Sequence, residues 1–151
     1  YIVSKYFEHL ENLVSPASIS QKLNFGIDGG NGVFGAVFDS LNNIYKFNTK
    51  SIYLEVDGNF PNHPADPSDE TNLTDLKKLV VDNDLDFGIA FDGDADRSVF
   101  IDNKGNLISG SLMTCLISDW LFEKKSQIKI VHNVNVQPSV VKYLNSKGIK
   151  K

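Results

Sequence analysis

Three aspartates occupy alternate positions in FGIAFDGDADRSVFID, residues 87–102: Asp92, Asp94 and Asp96, between an apolar run and Arg97. In extended backbone, residues i, i+2 and i+4 project to one side, roughly 6–7 Å apart per step. A slight curl then converges three carboxylates on one ion, and the small residues Gly93 and Ala95 permit that curl. A helix would not do this, because i and i+2 do not face each other there. All-oxygen ligation selects a hard cation, Mg²⁺, Mn²⁺ or Ca²⁺, over zinc or copper. Without a cation, neighbouring carboxylates raise one another's pKa.

Most charge runs are solvated turns. Here the apolar FGIAF segment should deliver the aspartates to the carboxyl edge of a sheet, where α/β folds place their ligands. An EF-hand loop is excluded: its invariant glycine and its glutamate would fall on Arg97 and Asn103. Arg97 is a cation beside three carboxylates, suited to bidentate recognition of phosphate. The competing role for Arg97 is an internal ion pair with one of the aspartates. Mg²⁺ together with a phosphate oxygen points to phosphoryl transfer.

A second loop, GNGVFG at residues 30–35, is a literal G-x-G-x-x-G between an expected strand and an expected helix. A phosphate could sit on that helix N-terminus. Asp28, however, puts an anion where a pyrophosphate would approach, and Gly29 adds a residue that the nucleotide fingerprint does not need. A tight turn beside a cleft is the better reading, and no organic cofactor is expected.

The elements that would position these loops follow from periodicity. Helices are expected at 1–14 (with Ile2, Tyr6, Phe7, Leu10, Leu13 and Val14 on one stripe), 33–45 (with Val33, Phe34, Val37, Phe38 and Leu41 inward), 72–83, 110–125 and 138–148. Strands are expected at 23–28, 51–56, 86–92, 97–102 and 128–134, with a hairpin arm at 107–109 after a turn at 103–106. Alternation of strands and helices predicts an α/β layered domain with a mixed, mainly parallel sheet flanked by helices. The loop 57–71 carries three prolines.

The 151 residues suit one domain, or one and part of another. A net charge of −4 argues against a nucleic-acid or anionic-membrane partner. No apolar run approaches the roughly 18 residues of a membrane span. The lone Cys115 excludes an internal disulfide and fits a cytoplasmic location. The chain starts at Tyr1 and its one methionine is Met113, which fits a piece of a longer polypeptide.

At FDGDADR the chain resembles the α-D-phosphohexomutases, the phosphomannomutase and phosphoglucomutase family, whose metal loop reads DGDGDR or DGDADR. IDGGNGVFG is similar to the family's strand and glycine loop. DGNFPNHPADPSDETNL resembles its F-P-x-H-x-P-x-P loop, and DNKGNLISGSLMTCLIS the hairpin and helix that follow the metal loop. The resemblance implies a four-domain isomerase, with 1–108 as the central Mg²⁺-binding second domain and 109–151 as the beginning of the third. It implies that Asp92, Asp94 and Asp96 bind Mg²⁺ and that Arg97 helps to hold phosphate charge. Phosphate would move between C1 and C6 of a hexose phosphate by way of a phosphoserine.

That serine's T-A-S-H-N-P loop has no counterpart here. PNHP at 61–64 contains no serine, and His63 reads as an organiser of its own loop. The chain alone is therefore expected to be inactive, its partners being the hexose phosphate and the missing mutase domains of the same polypeptide. Two other classes share parts of this pattern. One is an aspartate-nucleophile phosphatase with Asp92 phosphorylated and Asp94 as acid/base; the other is a non-catalytic cation-binding module.

Overall fold

The computed structural model describes residues 2–19, 23–125, 127–132, 134 and 136–149. The chain divides into two compact units, residues 1–107 and 108–151. In chain order the elements are α1 (Ile2–Leu13), β1 (Asn24–Asp28), α2 (Gly35–Tyr45), β2 (Asn48–Ile52), α3 (Thr74–Asp82), β3 (Phe87–Phe91), β4 (Ser98–Asp102), β5 (Leu107–Ile108), α4 (Gly110–Lys124) and α5 (Pro138–Ser146). The strand order is β2-β1-β3-β4-β5. β1 runs parallel to both β2 and β3, while β4 returns antiparallel to β3. This is the α/β layering with a mixed sheet that the sequence predicts.

Alternation along β1 and β3 explains how helices cover both faces of the first unit. Phe25 and Ile27 join Phe34 and Phe38 in one core, with Phe87, Ile89 and Phe91 packed against it. Phe25 stacks on Phe87 at 4.7 Å and Phe34 on Phe91 at 3.9 Å between ring centroids. The intervening positions, Gly26 and Gly88, meet α3 instead. A Cβ on Gly88 would lie 2.8 Å from Val80 and 3.0 Å from Leu76. Small residues here let α3 settle close to the sheet, so that Leu76 and Val80 are completely buried with Leu73, Leu85, Ala90 and Ile101. An Asp69 side chain caps the turn of 3₁₀ helix (Glu70–Leu73) that leads into α3, accepting from the Thr71 N–H at 3.0 Å.

Three expectations need correction. The second strand pairs through Asn48–Ile52 rather than 51–56, because the backbone leaves the strand at Tyr53, where φ is +55°. α2 begins at Gly35 rather than residue 33, and Val33 faces outward, half exposed. The stripe on α1 is largely uncovered: Phe7 is buried, while Ile2, Tyr6 and Leu13 are exposed.

In the second unit, Ser109 caps α4 by accepting from the Leu112 N–H at 3.2 Å, and Pro138 opens α5. Val140, Leu144 and Ile149 form its core, with Phe122 and Ile130 against them. The strand expected at 128–134 does not form among the described residues; Lys129 alone makes a bridge there. Ile128 and Ile130 pack against the Val140 core, whereas Val131 and Val134 are almost wholly exposed, so the apolar pattern is only half used. Asn133 lies outside the described residues.

Candidate metal centre

The strand order reverses at β1, with β2 on one side and β3 on the other. Loops leaving the carboxyl ends of β1 and β3 therefore flank a topological switch point, the usual ligand crevice of an open α/β sheet. The loop after β3 carries Asp92, Asp94 and Asp96. One carboxylate oxygen from each lies within 4.8 Å of the other two. Asp92 is buried, and Asp94 and Asp96 are exposed. A hard cation needs such a convergent, oxygen-only donor set, and the three side chains fit one.

The curl comes from the backbone. The Ala95 N–H donates to the Asp92 carbonyl at 3.1 Å. Ala95 takes a left-handed conformation with φ +59°. The Asp92 N–H donates to the Arg97 carbonyl at 3.2 Å and closes the loop.

Arg97 anchors the arrangement. Its backbone N–H donates to Asp92 Oδ1 at 3.0 Å, and its Nε to Asp92 Oδ2 at 2.8 Å. Asp96 Oδ1 and Asp66 Oδ1 each lie 3.7 Å from the guanidinium. The internal ion pair considered from sequence is thus present, while the Arg97 side chain stays 61% exposed. The mutual rise in pKa expected of the carboxylates is realised on Asp96, which Asp94 and then Asp92 push up. On Asp92 it is reversed: burial pushes upward, but the hydrogen bonds and charge of Arg97 outweigh it and hold the carboxyl below its ordinary value. Asp66, a further carboxylate beside Arg97, was not singled out from sequence. Its position between two prolines gave no sign that its loop would fold back onto Arg97.

The glycine loop supports the aspartate loop from one side. A Cβ on Gly32 would sit 2.7 Å from the Gly93 carbonyl oxygen, and the Val33 N–H donates to that oxygen at 3.0 Å. Asn31, buried and at φ +56°, donates through its side chain to the Glu55 carbonyl at 2.8 Å. His63, read from sequence as organising its own loop, reaches the glycine loop as well: its Nε2 lies 3.0 Å from Asp28 Oδ2.

Tyr53 stands next to His63, ring edge to ring at 5.4 Å, and its hydroxyl donates to Asp75 Oδ2 at 2.7 Å. That hydrogen bond first, then burial and the charges of Asp75 and Asp28, push the phenol up to about 12. The bond's contribution to stability is full below the ordinary phenol value of 10.0 and is lost as pH climbs through about 12. In an absorbance titration at 295 nm, subtraction of a Tyr53→Phe variant should isolate this late phenol, and Asp75→Asn should return it toward the ordinary range. A tyrosine difference titrating at its ordinary value in the wild-type chain would contradict the pairing.

Residues 4–105 match the family model described as phosphoglucomutase/phosphomannomutase, alpha/beta/alpha domain II. A phosphoglucomutase from Neisseria gonorrhoeae is 32% identical over 147 residues, which cover 97% of this chain and 31% of that protein. A phosphomannomutase/phosphoglucomutase from Pseudomonas putida is 32% identical over 133 residues, 88% of this chain and 28% of its own length. The crystal structure of a phosphoglucomutase/phosphomannomutase family protein from Burkholderia thailandensis superposes with a TM-score of 0.84 at 26% identity, covering 95% of this chain and 31% of that one. The chain thus spans under a third of the length of these relatives. No described helix is long and apolar enough to cross a membrane.

Proposed function

The chain belongs to the phosphoglucomutase/phosphomannomutase family, and from that premise we propose that it is the cation-binding part of a phosphohexomutase. The longer enzyme moves phosphate between C1 and C6 of a hexose phosphate through a phosphoserine carried elsewhere in the polypeptide. Residues 1–108 act as its second domain and 109–151 open its third. The observation that carries this reading is the convergence of Asp92, Asp94 and Asp96 at the switch point of the sheet.

In this reading those three carboxylates hold Mg²⁺, which when bound neutralises charge on a transferring phosphoryl group. Arg97 is kept in place by two hydrogen bonds to Asp92, and its exposed guanidinium is available to phosphate oxygens. Asp92 thus serves twice, as ligand and as the anchor of Arg97. The aspartate-nucleophile alternative has less support, since both oxygens of Asp92 already accept from Arg97. A cytoplasmic location goes with the reading, Cys115 being a free thiol.

The test supplies the remaining mutase domains in trans and follows conversion of glucose 1-phosphate and mannose 1-phosphate to their 6-phosphates. Turnover should require both parts and Mg²⁺. Turnover by the remaining domains alone, at an unchanged rate, would remove this chain from the reaction.

A further inference from the structure

Asp28 and His63 stand outside the carboxylate cluster, yet they join the two loops that press on it. Asp28 is completely buried at the end of β1, and the His63 side chain is 14% exposed. His63 Nδ1 lies 2.8 Å from the Pro64 carbonyl oxygen. A carbonyl can only accept, so Nδ1 carries a proton. Nε2 then faces Asp28 Oδ2 at 3.0 Å, and the two can bond only with one proton between them. Either an imidazolium donates to a carboxylate, or a neutral imidazole accepts from a carboxylic acid. Without that proton, two lone pairs would oppose each other in a buried site. The carboxyl is not free to turn away, because its Oδ1 accepts the Gly30 N–H at 2.8 Å.

The position of this link gives it leverage. A Cβ on Gly30 would lie 3.3 Å from the Phe91 carbonyl oxygen and 3.4 Å from Ala65, and Gly32 presses on Gly93 as described. From the other side, Phe60 and Ala65 would meet a Cβ on Gly93 at 3.6 and 3.7 Å. The loops 29–33 and 57–66 therefore close on Gly93 from two directions. Asp28–His63 ties them together, alongside a bond from Asn62 Nδ2 to Asn31 Oδ1 at 2.8 Å.

We infer that Asp28 and His63 are a positioning pair, whose shared proton locks the glycine loop to the histidine loop and so sets the backbone between the cation ligands. The inference rests on the cation reading of Asp92, Asp94 and Asp96. Other groups bear on the pair: Asp75 adds negative charge, and Tyr53 lies against the imidazole. Burial pushes the Asp28 carboxyl up, opposed by the Gly30 N–H and by His63. Raising the pH removes the shared proton and opens the lock, so cation affinity falls. Asp28→Asn reverses this sign. Its amide donates to a neutral Nε2 while its carbonyl oxygen keeps the Gly30 N–H, so that lock holds at high pH and opens when His63 gains a second proton.

The experiment titrates Mn²⁺ into the 151-residue chain and its Asp28→Asn variant by electron paramagnetic resonance, from about pH 5.5 to 8.5, a span chosen to bracket histidine titration. The ratio of the two Kd values at each pH cancels protonation of the ligands themselves. It should change about tenfold across the range, the size of effect typical of groups supporting metal ligands, with the wild type relatively tighter at the acid end. In ¹⁵N spectra of wild type, the His63 Nε2 resonance should sit away from the bare-nitrogen position at neutral pH. A bare Nε2, or a ratio flat to within about twofold across this span, overturns the pair's role. Asp94→Asn serves as the separate control. If it binds Mn²⁺ as wild type does, the cation reading fails and takes the positioning role with it, while the nitrogen spectrum still decides whether the proton is shared.

Discussion

An Asp92→Asn/Asp94→Asn variant is expected to bind Mg²⁺ or Mn²⁺ at least ~100-fold more weakly than the wild-type chain. Each substitution replaces a charged oxygen donor by a neutral one, and a loss of about 1.4 kcal/mol per ligand suffices for that factor. The fold should survive. Asparagine at position 92 keeps an oxygen for the Arg97 backbone N–H at 3.0 Å and gives up only the bond from Arg97 Nε. The backbone bond that closes the loop is untouched, and Asp94 is exposed. Calorimetric titration of both proteins, with far-ultraviolet circular dichroism to verify folding, makes the comparison. Equal affinities would remove the metal assignment. Absolute affinity of the wild type should itself be modest if a phosphate oxygen from elsewhere in the polypeptide completes the coordination.

Gly35→Ala is the substitution with the largest expected cost in stability, about 3 kcal/mol or more. The added Cβ would fall 1.7 Å from the Leu54 carbonyl oxygen and 2.7 Å from its carbonyl carbon. Both are backbone atoms, so no rotamer change relieves the overlap. Either the first turn of α2 lifts away, and with it Phe34 from its stack on Phe91, or the chain leaving β2 moves. For a unit of this size the loss corresponds to a fall in melting temperature of roughly 12–24 °C. Gly58→Ala is the control, since a Cβ there meets nothing within 4 Å, and it should stay within about 0.5 kcal/mol of wild type. If Gly35→Ala melted beside Gly58→Ala, the close approach would be wrong.

The clustering of Asp92, Asp94 and Asp96 could be read from sequence because its information is local. Alternate spacing, small intervening residues and an apolar strand behind them lie within one stretch of the chain. The glycine motif was equally visible but not its cause. Gly32 is small because of the Gly93 carbonyl and Gly35 because of Leu54, and both obstacles come from other parts of the chain. A G-x-G-x-x-G pattern records that something approaches closely, not what. Asp28 looked like an obstruction to phosphate because its partner lies 35 positions further on.

The errors of secondary structure share a cause. The apolar alternation of SIYLEV drew the second strand too late, whereas the ladder to β1 runs through the polar NTKSI of an edge strand. There pairing is decided by backbone register rather than by which side chains are buried. At 128–134 Ile128 and Ile130 pack on a helical core without a strand ladder among the described residues, and Val131 and Val134 face outward.

Ala95 has a consequence for the order of events in ion capture. Its left-handed backbone is uncomfortable for any residue with a Cβ, at a cost on the order of 1 kcal/mol. The bend is held by the loop's own contacts: the turn hydrogen bond to Asp92 is made and the Arg97 clamp is closed. A glycine at 95 would relax that strain but let the unbound loop sample many shapes. With alanine there, the entropy of shaping the loop is lost when the protein folds. A cation bound as proposed would then meet carboxylates that the loop's own contacts have already brought together.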